Sequence, residues 1–212
     1  MSPAADRPLV AVLDYGIGNL RSAQKALERV GADARLTADP RLAIRADGVV
    51  LPGVGAFGRC AEAIRAAGLD DVVVDAIDIG VPFLGICIGM QLLYEESEED
   101  PGVPGIGVLE GVVRRLPDKV KVPQMQWNEL CRARPSPLWD GLGDPAWVYF
   151  VHSYAVAESD PARVIGTCDY GGEVVAAVEL GPTQWAVQFH PEKSAATGLG
   201  VLGNFVAACA AR

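Results

Sequence analysis

Three residues of this chain have types and surroundings that could make and break an acyl bond. Cys87 lies in Gly85-Ile86-Cys87-Ile88-Gly89, the cysteine counterpart of the nucleophile elbow G-x-S-x-G. In such an elbow a strand turns sharply into a helix, and flanking glycines keep Cβ atoms out of crowded space. A thiol at that turn has backbone N–H groups and a helix N-terminus beside it, which favour the reactive thiolate. The plain alternative is a buried structural cysteine in a Gly-rich turn. A cysteine nucleophile needs a base, and only His152 and His190 are available. His190 ends the apolar run Trp185 to His190, at the end of a strand where a parallel-sheet enzyme places its site. Pro191 biases it toward extended backbone. Two residues on, Glu192 faces the same way in an extended chain and can orient the imidazole. His152 sits mid-strand with Val148, Phe150 and Tyr154 on one face, which reads as a packed structural histidine.

Such a triad must stand on a sheet. Leu9 to Leu13, Gly48 to Leu51 and Val81 to Leu84 are short apolar runs that read as buried parallel strands. Between them, Leu20, Ala23, Leu27 and Val30 recur at helical spacing, and helices are expected from about Arg59 to Ala67 and Asp71 to Asp78. Met90 to Tyr94 reads as the first turns of the helix after the elbow. Pro52-Gly53-Val54-Gly55 follows a strand of the same sheet, so its backbone N–H groups, at Val54 and Gly55, could join that of Ile88 in an oxyanion hole. Gly16-Ile17-Gly18 lacks the third glycine of a dinucleotide loop and any Walker lysine, and reads as a tight turn. The second half is richer in strands: Trp147 to Val156, Arg163 to Cys168, Val174 to Glu179 and Trp185 to His190. A helix through Leu199, Leu202, Phe205, Val206 and Cys209 closes the chain. The expected fold is α/β, a single three-layer domain over 1–212 with a central, mostly parallel sheet and helices on both faces.

Composition narrows the partners. A net charge of -9 over 212 residues argues against nucleic acid or an anionic membrane as the main partner. Five scattered cysteines without a C-x-x-C pair predict neither a disulfide framework nor a zinc site, and suit a reducing cytoplasm. Cys60, Cys131, Cys168 and Cys209 read as packing residues. The first seven residues lack a basic n-region, so no signal peptide is expected, and no apolar stretch reaches the ~20 residues that span a bilayer.

Taken together, the motifs resemble a known family. Pro82 to Gln91 resembles the nucleophile segment of class I (triad) glutamine amidotransferases, and Phe189 to Ser194 resembles their His-Pro-Glu segment. Asp14 to Leu20, Leu51 to Phe57 and Val122 to Asn128 are similar to the glutaminase subunits of imidazole glycerol phosphate synthases. The resemblance runs from about Val10 to Phe205. It implies that Cys87, His190 and Glu192 hydrolyse L-glutamine through a thioester. Ammonia then passes to a partner (β/α)8-barrel cyclase, in histidine biosynthesis, without a metal or other cofactor. Carried over residue by residue, it implies that Gln91, Glu99, Ser153 and Tyr154 hold glutamine and that Trp127, Asn128 and Lys193 meet the cyclase. Glu99 belongs to an acidic run, Glu95 to Asp100, that reads equally as a solvated helix end. Gln124 and Gln126 depart from the family's His and Gly, so docking or its signal is expected to differ in detail. Other class I glutaminase subunits, such as those of pyridoxal phosphate or anthranilate synthesis, a free-standing cysteine hydrolase, and a non-catalytic scaffold remain as alternatives.

Overall fold

Alternating apolar runs and one-faced helices in the first half produce a parallel sheet wound in both directions. This is seen in a computed structural model that describes residues 7–157 and 159–212. Residues 1–6, most of the segment read for targeting, lie outside the described residues. The first half runs β1 (Leu9–Leu13), α1 (Leu20–Arg29), β2 (Asp33–Thr37), α2 (Pro40–Arg45), β3 (Gly48–Gly53), α3 (Phe57–Ala66), α4 (Asp70–Asp78), β4 (Phe83–Cys87) and α5 (Ile88–Gln91). The second half runs β5 (Tyr94–Ser97), β6 (Leu109–Arg115), β7 (Gln124–Glu129), β8 (Cys131–Arg132), β9 (Trp147–His152), β10 (Tyr154–Val156), β11 (Val164–Asp169), β12 (Glu173–Gly181), β13 (Gln184–Val187) and α6 (Ala195–Ala210).

The main sheet has eight strands in the order β2-β1-β3-β4-β13-β12-β11-β8. The strands from β2 to β13 run parallel, and β12, β11 and β8 continue it antiparallel. The chain winds outward to β2 and then returns past β1 to β3. With right-handed crossovers this puts α1 on one face and α2 on the other. The helix contacts agree, since α1 packs on α6, whereas α2 and α3 both pack on α4. The core is continuous: β1, β3 and β4 are lined by Val10, Val12, Val49, Leu51, Phe83 and Leu84, none of which reaches solvent. The carboxyl ends of β1, β3, β4 and β13 open on one side, at the point where the winding reverses. Ligand crevices of open α/β sheets form there. No described helix is long and apolar enough to cross a membrane.

Two small sheets stand at this end: β10-β6-β5, and the antiparallel ribbon of β7 with β9. They account for several departures from the sequence reading. The expected helix after the elbow is a single turn, because the backbone of the next residues is claimed elsewhere. Leu92 and Leu93 carbonyls accept from Ile106 and Leu109 N–H, at 2.6 and 2.8 Å. Leu92, Leu93 and Tyr94 are all fully buried, a continuous apolar run whose periodicity cannot separate helix from strand. The acidic run is accordingly the strand β5 and the turn after it, and not a helix end. The run from Trp147 to Val156 is broken at Ser153 into strands of two different sheets. The strand leading to His190 stops at Val187, and the edge strand β2 was not foreseen because Asp33-Ala34-Arg35-Leu36-Thr37 carries two charges.

Candidate active site

The elbow is built as its sequence suggests. Cys87 has φ 55° and ψ −110°, a backbone state that L-residues avoid and that surrounding packing must enforce. Gly53 on β3 is the register partner of Cys87 on β4. The two flanking glycines answer to contact distances. A Cβ on Gly89 would lie 1.8 Å from the Leu51 carbonyl oxygen, and one on Gly85 would lie 3.0 Å from the Gly89 carbonyl oxygen. With α5 only one turn long, the macrodipole expected from a longer helix is small.

His190 is brought to the elbow from the end of β13. Its N–H donates to the Tyr149 carbonyl at 2.9 Å, and its own carbonyl accepts from the buried Ser194 hydroxyl at 2.7 Å. Its φ of −101° and ψ of 96° are the extended state that Pro191 favours. Glu192 lies in the 3-10 turn Pro191–Lys193 and not on an extended strand. The expected partnership therefore arises by a different route: the turn folds the carboxylate back, and Glu192 Oε1 lies 2.7 Å from His190 Nδ1, with both side chains buried. Nε2 is the ring atom left for the cavity, buried and without a hydrogen-bond partner among the described residues. Burial opposes protonation of this ring, but Cys87 and Glu192 outweigh it and push the His190 pKa up to about 10.

Cys87 and His190 line one cavity of about 400 Å³. Val54, Gly55, Ile88, Gln91, Glu99, Ser153, Tyr154 and Lys193 open on it too. Two side chains hold the carbonyls of the Pro52–Gly55 turn at its edge. The Tyr15 hydroxyl donates to Pro52 O at 2.8 Å, and the Cys60 thiol donates to Val54 O at 3.6 Å. The Asp14-Tyr15-Gly16 motif thus braces the turn, and Gly16 and Gly18, at φ 82° and 127°, make the tight turn expected of them. Gln91 Nε2 donates to Tyr154 O at 2.8 Å, and its Oε1 is buried without a hydrogen-bond partner among the described residues. Glu99 is half-buried and accepts the Phe57 N–H at 2.9 Å, while Asp100 accepts that of Gly58 at 2.8 Å, so these two carboxylates cap α3. Burial and the neighbouring Asp100 raise the Glu99 pKa against the pull of the Phe57 N–H.

Trp127 and Asn128 stand on opposite faces of β7. Trp127 packs edge-on to Tyr149, at 5.9 Å and 65°, and is 44% exposed. Asn128 is half-buried: its amide donates to Asp169 O at 3.0 Å and its oxygen accepts from Gln124 and Gln126, so it ties the ribbon to the fold. Gln126 fits regular strand backbone, and Gln124 is fully buried as the cross-strand partner of His152. Sequence reasoning missed Gln188, Ser194 as a brace, and Gly198, whose Cβ would lie 1.9 Å from the Pro191 carbonyl oxygen. A polar residue in an apolar run and a glycine inside a helix were the signals.

His152 is packed against Phe150, as expected of a structural histidine, yet it also lines the cavity. Its Nδ1 lies 2.9 Å from the Tyr154 carbonyl and must donate to it. Burial lowers its pKa to about 4, helped by His190 and opposed by that carbonyl. Between the ordinary 6.5 and about 4 the unfolded chain binds the extra proton and the folded chain does not. Stability from this group is therefore complete above pH 6.5 and falls as pH drops toward 4. Urea unfolding at pH 7 and pH 5 is expected to show a smaller acid loss in His152→Gln than in the parent chain; equal losses would refute the assignment.

Known proteins resemble this chain in both sequence and fold. The family model described as glutamine amidotransferase class-I matches residues 11–209. The chain belongs to the class I glutamine amidotransferases. It is 47% identical over 197 residues to the imidazole glycerol phosphate synthase subunit HisH of Bacillus cereus, covering 93% of each chain. It is also 47% identical over 210 residues to the subunit of that name from Synechococcus elongatus, covering 98% of this chain and 96% of the relative. A crystal structure of a glutamine amidotransferase superposes with a TM-score of 0.74 at 23% identity over 94% of this chain and 98% of that one. It shares the fold of this amidotransferase, with the large mixed sheet between helices.

Proposed function

We propose that this amidotransferase is the glutaminase subunit of imidazole glycerol phosphate synthase, a cytoplasmic single domain over 1–212 that works as a heterodimer with a (β/α)8-barrel cyclase. The observation carrying the glutaminase reading is the buried Glu192–His190 pair, 2.7 Å apart, opening on the same cavity as the elbow cysteine. The synthase reading is supported by relatives of that name matched over nearly their whole length.

In this reading the Cys87 sulfur attacks the side-chain amide carbon of glutamine. A cationic imidazolium beside a sulfur favours the thiolate that does so. The carbonyl electron pair moves to oxygen, where N–H groups of Val54, Gly55 and Ile88 receive it; one such donor contributes about 3–4 kcal/mol. Collapse re-forms the carbonyl and breaks the C–N bond, and the His190 proton goes to the departing ammonia. Neutral His190 then takes a proton from water as it attacks the thioester, and collapse breaks the C–S bond, releasing glutamate and restoring the thiolate beside the imidazolium. Glu192 holds the ring so that Nε2 faces the reaction. Gln91 offers its unpartnered oxygen to the substrate, with Glu99 and the backbone of Ser153 and Tyr154 completing the pocket.

Ammonia leaves through an internal tunnel to the cyclase, which forms imidazole glycerol phosphate and aminoimidazole carboxamide ribotide. The ribbon beside the cavity suits such a partner. Alternation puts Met125, Trp127 and Trp147 on one face, exposed at 60%, 44% and 46%. Their neighbour Val151 lines the cavity, and exposed Lys193 stands at its mouth. An apolar cluster of this kind marks an interface, and its tryptophans are its expected anchors. Trp127→Ala is expected to weaken cyclase binding about 30-fold or more. Thermal unfolding should change little, because the ring is half-exposed. An unchanged affinity on titration would remove Trp127 from the interface.

The function itself is tested by glutamate release from the purified chain, alone and with its barrel cyclase loaded with the nucleotide intermediate. A low rate alone and a large rise with the loaded partner is the expected result. A high rate indifferent to the cyclase would leave a glutaminase but not this synthase.

A further inference from the structure

One buried polar side chain touches the sulfur and has no part in the mechanism above. Gln188 interrupts the apolar run Trp185-Ala186-Val187-Gln188-Phe189 and is fully buried. A side-chain amide without solvent needs partners at both ends. Its Oε1 accepts from Gln91 Nε2 at 2.9 Å, and its Nε2 lies 3.6 Å from Cys87 Sγ and donates to it. The segment is fixed as well, since the Gln188 backbone N–H donates to the Ala176 carbonyl at 2.9 Å.

The orientation of this amide follows from its neighbours. Gln91 Nε2 also donates to the Tyr154 carbonyl at 2.8 Å, so the amino end of Gln91 faces two acceptors. Gln188 must then turn its oxygen to Gln91 and its N–H to the sulfur. Reversed, it would set two amino groups against each other and aim oxygen lone pairs at sulfur lone pairs. The chain Tyr154–Gln91–Gln188–Cys87 therefore delivers one donor to the nucleophile. It also leaves the Gln91 oxygen free for the cavity.

We propose that Gln188 is a further catalytic residue of the glutaminase, a neutral hydrogen-bond donor that holds the Cys87 sulfur as thiolate and aims it, with Gln91 as the positioning residue that sets its direction. The inference rests on Cys87 being the nucleophile. A donor to an anionic sulfur favours the thiolate over the thiol. Its loss should move thiolate formation to higher pH and slow attack, whereas a merely structural glutamine would leave the pH profile in place.

The test is the pH dependence of Cys87 alkylation by iodoacetamide, read on the Cys87 peptide by mass spectrometry because Cys131 is exposed and will also react. The full chain, Gln188→Met and Gln188→Glu are compared, each with glutamate release in the presence of the loaded cyclase. Gln188→Met keeps length and removes the donor. It is expected to move the alkylation midpoint up by about one pH unit and to lower glutamate release about 10- to 100-fold, the range for a hydrogen bond to a charged group. Gln188→Glu retains an acceptor for Gln91 and places an oxygen at the sulfur, so its shift should be larger; it carries the test if the methionine variant fails to fold. Wild-type profiles in the folded variants overturn the proposal. Full glutamate release by Cys87→Ser would instead remove the nucleophile, and the proposal with it, whatever the Gln188 profiles show.

Discussion

Cys87→Ser or Cys87→Ala is expected to lower glutamate release on the order of 10⁴-fold or more while the cyclase still binds and still makes product from added ammonia. The size follows from the covalent route. With no sulfur there is no thioester, and neither the N–H groups at Val54, Gly55 and Ile88 nor the Glu192–His190 pair has a nucleophile to act through. Residues that act as one unit fail together, so the loss of one approaches the loss of all. Serine at the same strained turn does not rescue the rate, because its hydroxyl is a far weaker acid than a thiol and the neighbouring imidazole is charged. The substitution should also be visible at His190. Cys87 and Glu192 hold that ring's pKa near 10 against burial. Stability from His190 is thus complete below the ordinary 6.5 and is lost as pH rises toward 10. Removing the sulfur should narrow that window from above. Rapid glutamate release by either variant would end the assignment of Cys87.

The residues of the candidate site were more legible than the turns and strands that bring them together. Cys87 in its glycine frame, and His190 with Glu192, could be read as types in a local pattern. The reason for Glu192 could not, since the geometry that joins it to His190 is a 3-10 turn and not a strand. Alternation along β7 sets Asn128 beside Gln124, on the face opposite Trp127, a relation that position in the motif alone does not give. The contacts of Gln188 and Tyr15 were invisible in the sequence because their partners, Cys87 and Pro52, are 101 and 37 positions away. β1, β3 and β4 of the parallel half were legible because each is an apolar run between turn residues, whereas the charged edge strand β2 was not. In the second half β9, β11, β12, β13 and α6 were legible in the same way, whereas β5, β6, β7 and β8 were not, because they carry polar residues among the apolar ones and β5, β6 and β7 pair outside the main sheet altogether. Leu92-Leu93-Tyr94 is the clearest instance, where burial on every side erased the period that separates a strand from a helix.

Gly89→Ala is expected to cost about 4 kcal/mol or more of stability, enough to lower the thermal midpoint on the order of 10 °C in a chain of this size. The added Cβ would lie 1.8 Å from the Leu51 oxygen and 2.8 Å from the Leu51 carbonyl carbon. Both are backbone atoms of β3, bonded into the middle of the main sheet, so no side chain can swing away to make room. Either β3 or the elbow has to move, and both moves separate Gly53 from Cys87. Stability and glutamate release should therefore fall together. Gly203→Ala is the opposite case. Gly203 lies inside α6 with nothing within 4 Å of its Cβ position. Alanine there should stabilise by about 0.5–1 kcal/mol, because glycine loses more freedom than alanine when a helix forms. Thermal unfolding of the two variants beside the parent chain separates close approach from helix propensity. If Gly89→Ala melts within a few degrees of Gly203→Ala, β3 does not press on the elbow, and close approach is not what requires glycine at position 89.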